Sequence, residues 1–133
     1  MELPIHPALV HFPIALYFFE LLLLSFWAFK KDGHYLRAAL FTFRAAFFMM
    51  IAALASGWKE VGGWQHVTGE VAEHFWGAVS VGVIQLARGI YWHRGKLENK
   101  KAMILILSAL AGCAAVLYTA YHGGELVYGE HAH

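Results

Sequence analysis

The sequence predicts an all-α integral membrane protein, a single four-helix up-down bundle that occupies residues 1–133. Three observations support this fold class. Of the 133 residues, 59% are hydrophobic and only 14% are charged, whereas about a quarter of a soluble domain is charged. Four apolar stretches are each long enough to cross a hydrocarbon core of about 30 Å as a helix. Two of the three connections are short, so the helices they join are expected to be antiparallel.

The predicted helices follow the apolar stretches and are interrupted by turn-forming residues. The first begins after Pro7, which suits a first helical turn because its missing N–H has no helical partner there. It ends before the turn at Asp32 and Gly33, and a second polar turn around Gly95 separates the last two helices. A longer, glycine-rich connection over 58–72 joins the second helix to the third. The predicted helices span residues 8–29, 36–57, 73–92 and 102–121.

Basic residues divide unequally between the two ends of the predicted bundle. The first and third connections carry seven lysine and arginine residues, and the opposite side carries only Lys59. Because the side rich in Lys and Arg faces the cytoplasm, both termini are expected on the outer side of the membrane. All four helices are expected to cross it. The outer side also collects six glutamates. This charge pattern indicates contact with a lipid bilayer and no nucleic-acid partner.

Histidine is concentrated on the predicted outer side. Imidazole at the edge of a membrane segment is costly and usually functional, and it is the commonest protein ligand for transition metals and haem iron. Cys113 is the only cysteine, so an iron–sulfur cluster and covalent haem attachment are excluded. The outer histidines are His6, His11, His66, His74, His122, His131 and His133.

The depth of these histidines predicts a haem b site. His11 lies about one turn inside the first helix, His74 begins the third and His122 ends the fourth, so all three are expected near the outer mouth. Helices one and three are diagonal in a four-helix bundle, and we therefore predict His11 and His74 as the axial ligands of one haem. His122 and His6 are the candidates for a second. Gly77, near His74, leaves room for the face of a porphyrin.

Two other interpretations remain open. His11, His74, His122 and His6 can instead hold a Zn, Cu or Fe ion directly, with help from glutamates such as Glu73, in a metal-binding or transport protein. His66 and His131 are weaker candidates, because a single histidine at a helix end is more often an interfacial polar residue. The third interpretation is a cofactor-free accessory subunit of a membrane complex.

A pair of opposite charges is predicted deep in the membrane. Glu20 is nine residues from the inner end of the first helix, and Arg44 is nine residues into the second, so both lie at one level. We predict an intramembrane ion pair between them, because unpaired charges there are costly. Gln85 is expected to join this network. Arg88 is expected near the inner surface, where its side chain can reach the headgroups.

Motifs at both ends of the chain resemble one protein family. Residues 5–16 read IHPALVHFPIAL, and residues 122–128 read HGGELVY. These runs are similar to those of domain-of-unknown-function family 2231, short bacterial four-helix membrane proteins with an HPxxVHFPIAL-like start and a GGxLVY-like ending. The resemblance implies the fold, the topology and a place in the bacterial inner membrane, with both termini on the periplasmic side, and does not define a function.

The function predicted first is that of a membrane b-type cytochrome with one or two haems. Such a protein transfers electrons between a quinol or a partner subunit and an acceptor on the outer side, as a homodimer or a subunit of a larger complex. No nucleophilic triad, phosphate-binding glycine loop or pair of hydrolase carboxylates is evident. An electron-transfer protein is therefore favoured over an independent enzyme.

Overall fold

The computed structural model describes residues 5–96 and 98–128, with side chains described up to Gly124. These residues form four α-helices, α1 (Ile5–Lys30), α2 (Gly33–Val61), α3 (Gly69–His93) and α4 (Asn99–Tyr128), and a 3₁₀ helix over Trp64–His66. The predicted all-α fold is confirmed, and the described residues contain no strand. Each helix is longer than its predicted apolar stretch, because flanking polar residues keep helical hydrogen bonds after the hydrophobic run has ended.

The four helices form an up-down bundle built from two hairpins. α1 packs most closely on α2, and α3 on α4; α1 also packs on α4, while α2 and α3 touch sparsely. Helices α1 and α3 are therefore diagonal, as predicted. We call the end where α1 and α3 begin the histidine end, and the end with the α1–α2 and α3–α4 turns the lysine end.

Each connection has a local cause in the sequence. The Asp32 side chain accepts a hydrogen bond from the backbone N–H of His34 and caps the start of α2. Gly62 ends α2 in the left-handed conformation, with φ of 75°, and its N–H donates to the Trp58 carbonyl. At the lysine end the buried Lys101 ammonium donates to the carbonyl oxygens of Trp92, Arg94 and Gly95. The Lys101 side chain thus caps the C-terminal end of α3.

The outside of the bundle is apolar, as expected for a surface in contact with lipid. The Phe41 and Phe48 side chains, for example, are 75% and 72% exposed. Among the described residues, α1, α2 and α4 (to Gly124) are each long and apolar enough to cross a membrane. α3 is not in that group, since it carries Gln85 and Arg88 among its apolar residues, but both of these side chains are buried in the bundle.

The centre of the bundle contains an ion pair different from the predicted one. Arg88 of α3 forms two hydrogen bonds with the Glu20 carboxylate of α1, with N···O distances of 2.6 and 3.1 Å. The same guanidinium donates to Gln85 Oε1 at 2.9 Å, to Ser108 Oγ and to the Leu105 carbonyl. The expected participation of Gln85 is confirmed, whereas the expected position of Arg88 near the headgroups is wrong.

The predicted pair between Glu20 and Arg44 is also wrong. Arg44 is exposed, and its Nη2 lies 2.9 Å from Nε2 of His93. The buried face of α2 runs through Thr42, Phe43 and Ala46, and each residue turns the helix by about 100°. Equal depth therefore placed Arg44 at the right level but on the wrong side of its helix.

Candidate cofactor site at the histidine end

Two histidines of the diagonal helices meet at the histidine end of the bundle. The imidazoles of His6 on α1 and His74 on α3 have ring centroids 6.2 Å apart, and the ring planes are at 80°. Both rings are partly buried. The structure thus joins His74 to His6 where the sequence analysis paired it with His11.

A hydrogen bond at Nδ1 of each ring shows which nitrogen carries a proton. His74 Nδ1 lies 2.9 Å from the Thr119 carbonyl oxygen, which can only accept, so Nδ1 carries the proton. His6 Nδ1 lies 2.8 Å from Ser56 Oγ, whose own hydroxyl donates to the Ala53 carbonyl. His6 Nδ1 therefore also donates. In the neutral form of such a ring Nε2 keeps its lone pair, which is the arrangement found when imidazole binds a metal and its other nitrogen is held by a hydrogen bond.

Glycine makes room for both rings. A Cβ atom on Gly57 of α2 would lie 2.7 Å from Cε1 of His6, and one on Gly123 of α4 would lie 2.8 Å from Cε1 of His74. Any larger residue would push these imidazoles away. The His6 ring therefore rests on the backbone of α2, and the His74 ring on that of α4.

Gly77 acts differently from the prediction. A Cβ atom at this position would lie 2.6 Å from Oγ1 of Thr119, so Gly77 permits close contact between α3 and α4. Thr119 in turn supplies the carbonyl that holds His74. Gly77 thus supports the site through helix packing, and the proposed space for a porphyrin face is filled by Thr119.

His11 lies away from the paired imidazoles. Its ring is exposed, and Nδ1 contacts the Pro7 carbonyl one turn earlier in the same helix. The predicted axial pair of His11 and His74 is therefore not formed. His66, in the 3₁₀ helix, is also exposed, and His131 and His133 lie outside the described residues.

His122 belongs to a second cluster, so its predicted pairing with His6 is not formed either. Nδ1 of His122 lies 3.1 Å from Oε2 of Glu70 and 3.2 Å from Oε2 of Glu73. The rings of Tyr118 and Tyr121 pack against the imidazole, with centroids at 4.5 and 5.4 Å.

A groove of about 420 Å³ lies between α3 and α4, next to this second cluster. Trp76 and Tyr118, both exposed, line it together with Gly77 and Ala115. Glu73 and Ser80 add polar groups. The groove is thus mainly apolar, with a carboxylate that also belongs to the His122 cluster.

Sequence comparison identifies the family. The pattern of a family described as predicted membrane protein (DUF2231) matches residues 2–133, almost the whole chain. The chain belongs to this family. No curated protein and no solved structure matches it significantly. The match agrees with the four-helix membrane fold and with the resemblance of the terminal motifs.

Four residues of the site were missed in the sequence: Ser56, Gly57, Thr119 and Gly123. Gly123 lies in the HGGELVY motif and Gly57 ends the second apolar stretch, so both positions were visible, but their contacts depend on the rotation of α2 and α4. Thr119 binds His74 through its backbone carbonyl, and because every residue has such a group, the identity of the side chain gives no sign of this contact.

Proposed function

We propose that this protein is a membrane b-type cytochrome that holds haem through His6 and His74. The observation that carries the proposal is the pair of imidazoles from diagonal helices, each with Nδ1 engaged in a hydrogen bond and with no hydrogen-bond partner at Nε2 among the described residues. A metal–imidazole bond is about 2 Å long, so two imidazoles that held one metal between them would have ring centres about 6 Å apart. The observed 6.2 Å agrees with this spacing.

The surroundings of the pair favour axial ligation as well. Ser56 and the Thr119 carbonyl orient the rings, and such partners also raise the basicity of the ligating nitrogen. Haem held by His6 and His74 would supply one-electron transfer. The residues of this chain would then act by fixing ring orientation and by holding each ring against helix backbone at Gly57 and Gly123.

The groove between α3 and α4 is the proposed docking place for a quinol donor. Trp76 and Tyr118 offer flat apolar surfaces, and the Glu73 carboxylate can accept a proton from a quinol hydroxyl. Electrons leave to an acceptor on the outer side, on a partner subunit or a second copy. In this proposal the histidine end faces the periplasm of a bacterial inner membrane, in agreement with the basic residues of the lysine end.

An absorbance spectrum tests the haem assignment. The protein purified from a haem-sufficient host should show a Soret band, and sharp α and β bands on reduction with dithionite. His6→Ala and His74→Ala should each lose at least most of the bound haem. His11→Ala is the matched control, because it removes an imidazole one to two turns away on the same helix, and it should keep the spectrum.

Two results would overturn the proposal. A colourless wild-type protein would shift the function to metal-ion binding or to a cofactor-free accessory subunit. Full haem content in the His6→Ala protein would exclude His6 and His74 as the ligand pair, although the protein would still be a cytochrome. If both tests succeed, slower reduction of the Trp76→Ala protein by a water-soluble quinol analogue is expected from the proposed docking place.

A further inference from the structure

The side chains of Glu70, Glu73 and His122 form a second cluster at the histidine end, of which the haem proposal uses only Glu73. One ligand atom from each of the three side chains lies within 4.8 Å of the other two. Glu70 and Glu73 come from the first two turns of α3, and His122 comes from the last part of α4. The cluster thus joins two helices at the histidine end.

Two carboxylates converge on one imidazole nitrogen in this cluster. Both carboxylates approach the same nitrogen, Nδ1 of His122, at 3.1 and 3.2 Å. Nδ1 carries at most one N–H, which can point at only one of the two oxygens, so the second carboxylate lies beside a like charge and gains no donor of its own from this nitrogen. The dipole of α3 stabilises a carboxylate in its first turn, such as Glu70, but does not explain why two converge on one nitrogen.

The two distances from Nδ1 of His122 match those between ligands of a small metal ion. Ligand atoms placed tetrahedrally about 2 Å from zinc are separated by about 3.3 Å. One imidazole nitrogen and two carboxylate oxygens are a donor set suited to zinc and similar first-row ions, whereas Mg²⁺ and Ca²⁺ prefer oxygen alone. We propose that Glu70, Glu73 and His122 form a divalent transition-metal site, with Zn²⁺ as the representative ion.

The surroundings leave this site both ordered and accessible. The His122 side chain is only 15% exposed, and Tyr118 and Tyr121 restrict its ring. The Glu70 and Glu73 side chains are 56% and 54% exposed, so water can complete the coordination shell. Glu73 also lines the groove of about 420 Å³, and a ligand in that groove can therefore reach the metal.

Neither proposed haem ligand, His6 or His74, belongs to this site, and the two proposals share only Glu73 among its ligands. Of the four histidines that the sequence analysis offered as ligands of a metal ion, only His122 belongs to the proposed site. The other three are His6, His11 and His74. The two centres are nonetheless neighbours, since His74 follows Glu73 in the chain and rests on Gly123, the residue after His122.

Zinc binding to the full-length protein in detergent tests the proposal. ZnCl₂ is titrated by calorimetry into protein carrying His131→Gln and His133→Gln, which removes the terminal histidines as competing ligands. We expect one Zn²⁺ per chain. Adding His122→Gln or Glu73→Gln should weaken binding at least tenfold, while Glu98→Gln, a change at the lysine end, should leave it unaltered.

Further variants separate this site from the paired imidazoles. His74→Gln should lose haem and keep Zn²⁺, and His122→Gln should do the reverse, with thermal unfolding and gel filtration used to verify the fold. Retention of full Zn²⁺ affinity in the His122→Gln protein would overturn the proposal, as would absence of Zn²⁺ binding to the starting protein. Loss of Zn²⁺ on His74→Gln alone would assign the ion to the paired imidazoles.

Discussion

Replacement of Arg88 by alanine should be among the most destabilising single changes in this bundle. The guanidinium makes hydrogen bonds to Glu20, Gln85, Ser108 and the Leu105 carbonyl, and it and Glu20 are almost completely buried. Its removal leaves the carboxylate without a counter-charge. Breaking one partner out of a buried pair costs about 3–5 kcal/mol of unfolding free energy.

Arg44 provides the matched control for this experiment. It is also an arginine in a helix, but it is exposed, and its hydrogen-bond partner among the described residues is His93. An interaction of this kind contributes about 0–1 kcal/mol. Arg44→Ala should therefore cost far less than Arg88→Ala, although both remove the same side chain.

A double-mutant cycle measured by reversible unfolding in mixed micelles gives the coupling directly. Glu20→Ala and Arg88→Ala should each lower the free energy of unfolding strongly. The double variant should lose less than the sum of the two, because no unpaired charge is left when both side chains are removed. Glu20→Ala and Arg44→Ala should be additive within about 0.5 kcal/mol. The reasoning is refuted if Glu20 couples to Arg44, or if the Glu20 and Arg88 losses simply add.

Two more predictions concern the site and the topology. Gly123→Leu should displace the His74 ring, because Cε1 of His74 lies 2.8 Å from the position of the new Cβ, and should lower the haem content. Gly124→Leu is the control, because the space around its Cβ position is open. Equal haem content in the two variants would contradict the assigned packing. In a Cys113→Ala background, a membrane-impermeant thiol reagent applied to whole cells should label Gln65→Cys at the histidine end and not Lys96→Cys at the lysine end. The opposite labelling pattern would reverse the orientation proposed for the protein.

The helices were predictable from the sequence because they depend on long apolar stretches and on local turn residues. The Asp32–Gly33 turn and the four hydrophobic runs each carry their signal within a few neighbouring positions. The meeting of imidazoles from α1 and α3 was also predictable, since it follows from the diagonal placement of those helices. His6, however, was chosen for the wrong pair.

The wrong pairings share one physical cause. Distance from a helix end predicts the depth of a side chain, but its direction depends on helix rotation, which is set by packing along the whole bundle. Arg44 and His11 were assigned by depth, and both lie on exposed faces. Arg88 was placed by counting from the end of α3, but its long side chain is directed into the bundle, where Glu20 and Gln85 bind it.

The ion pair between Glu20 and Arg88 also makes insertion of the chain dependent on the order of synthesis. The two residues are 68 positions apart, so α1 emerges from the ribosome well before α3. Until then the Glu20 carboxylate has no guanidinium partner, and a charged side chain at the bilayer centre is unfavourable by about 3 kcal/mol or more. The first hairpin is therefore expected to stay in the insertion machinery, or to carry a protonated Glu20, until α3 arrives.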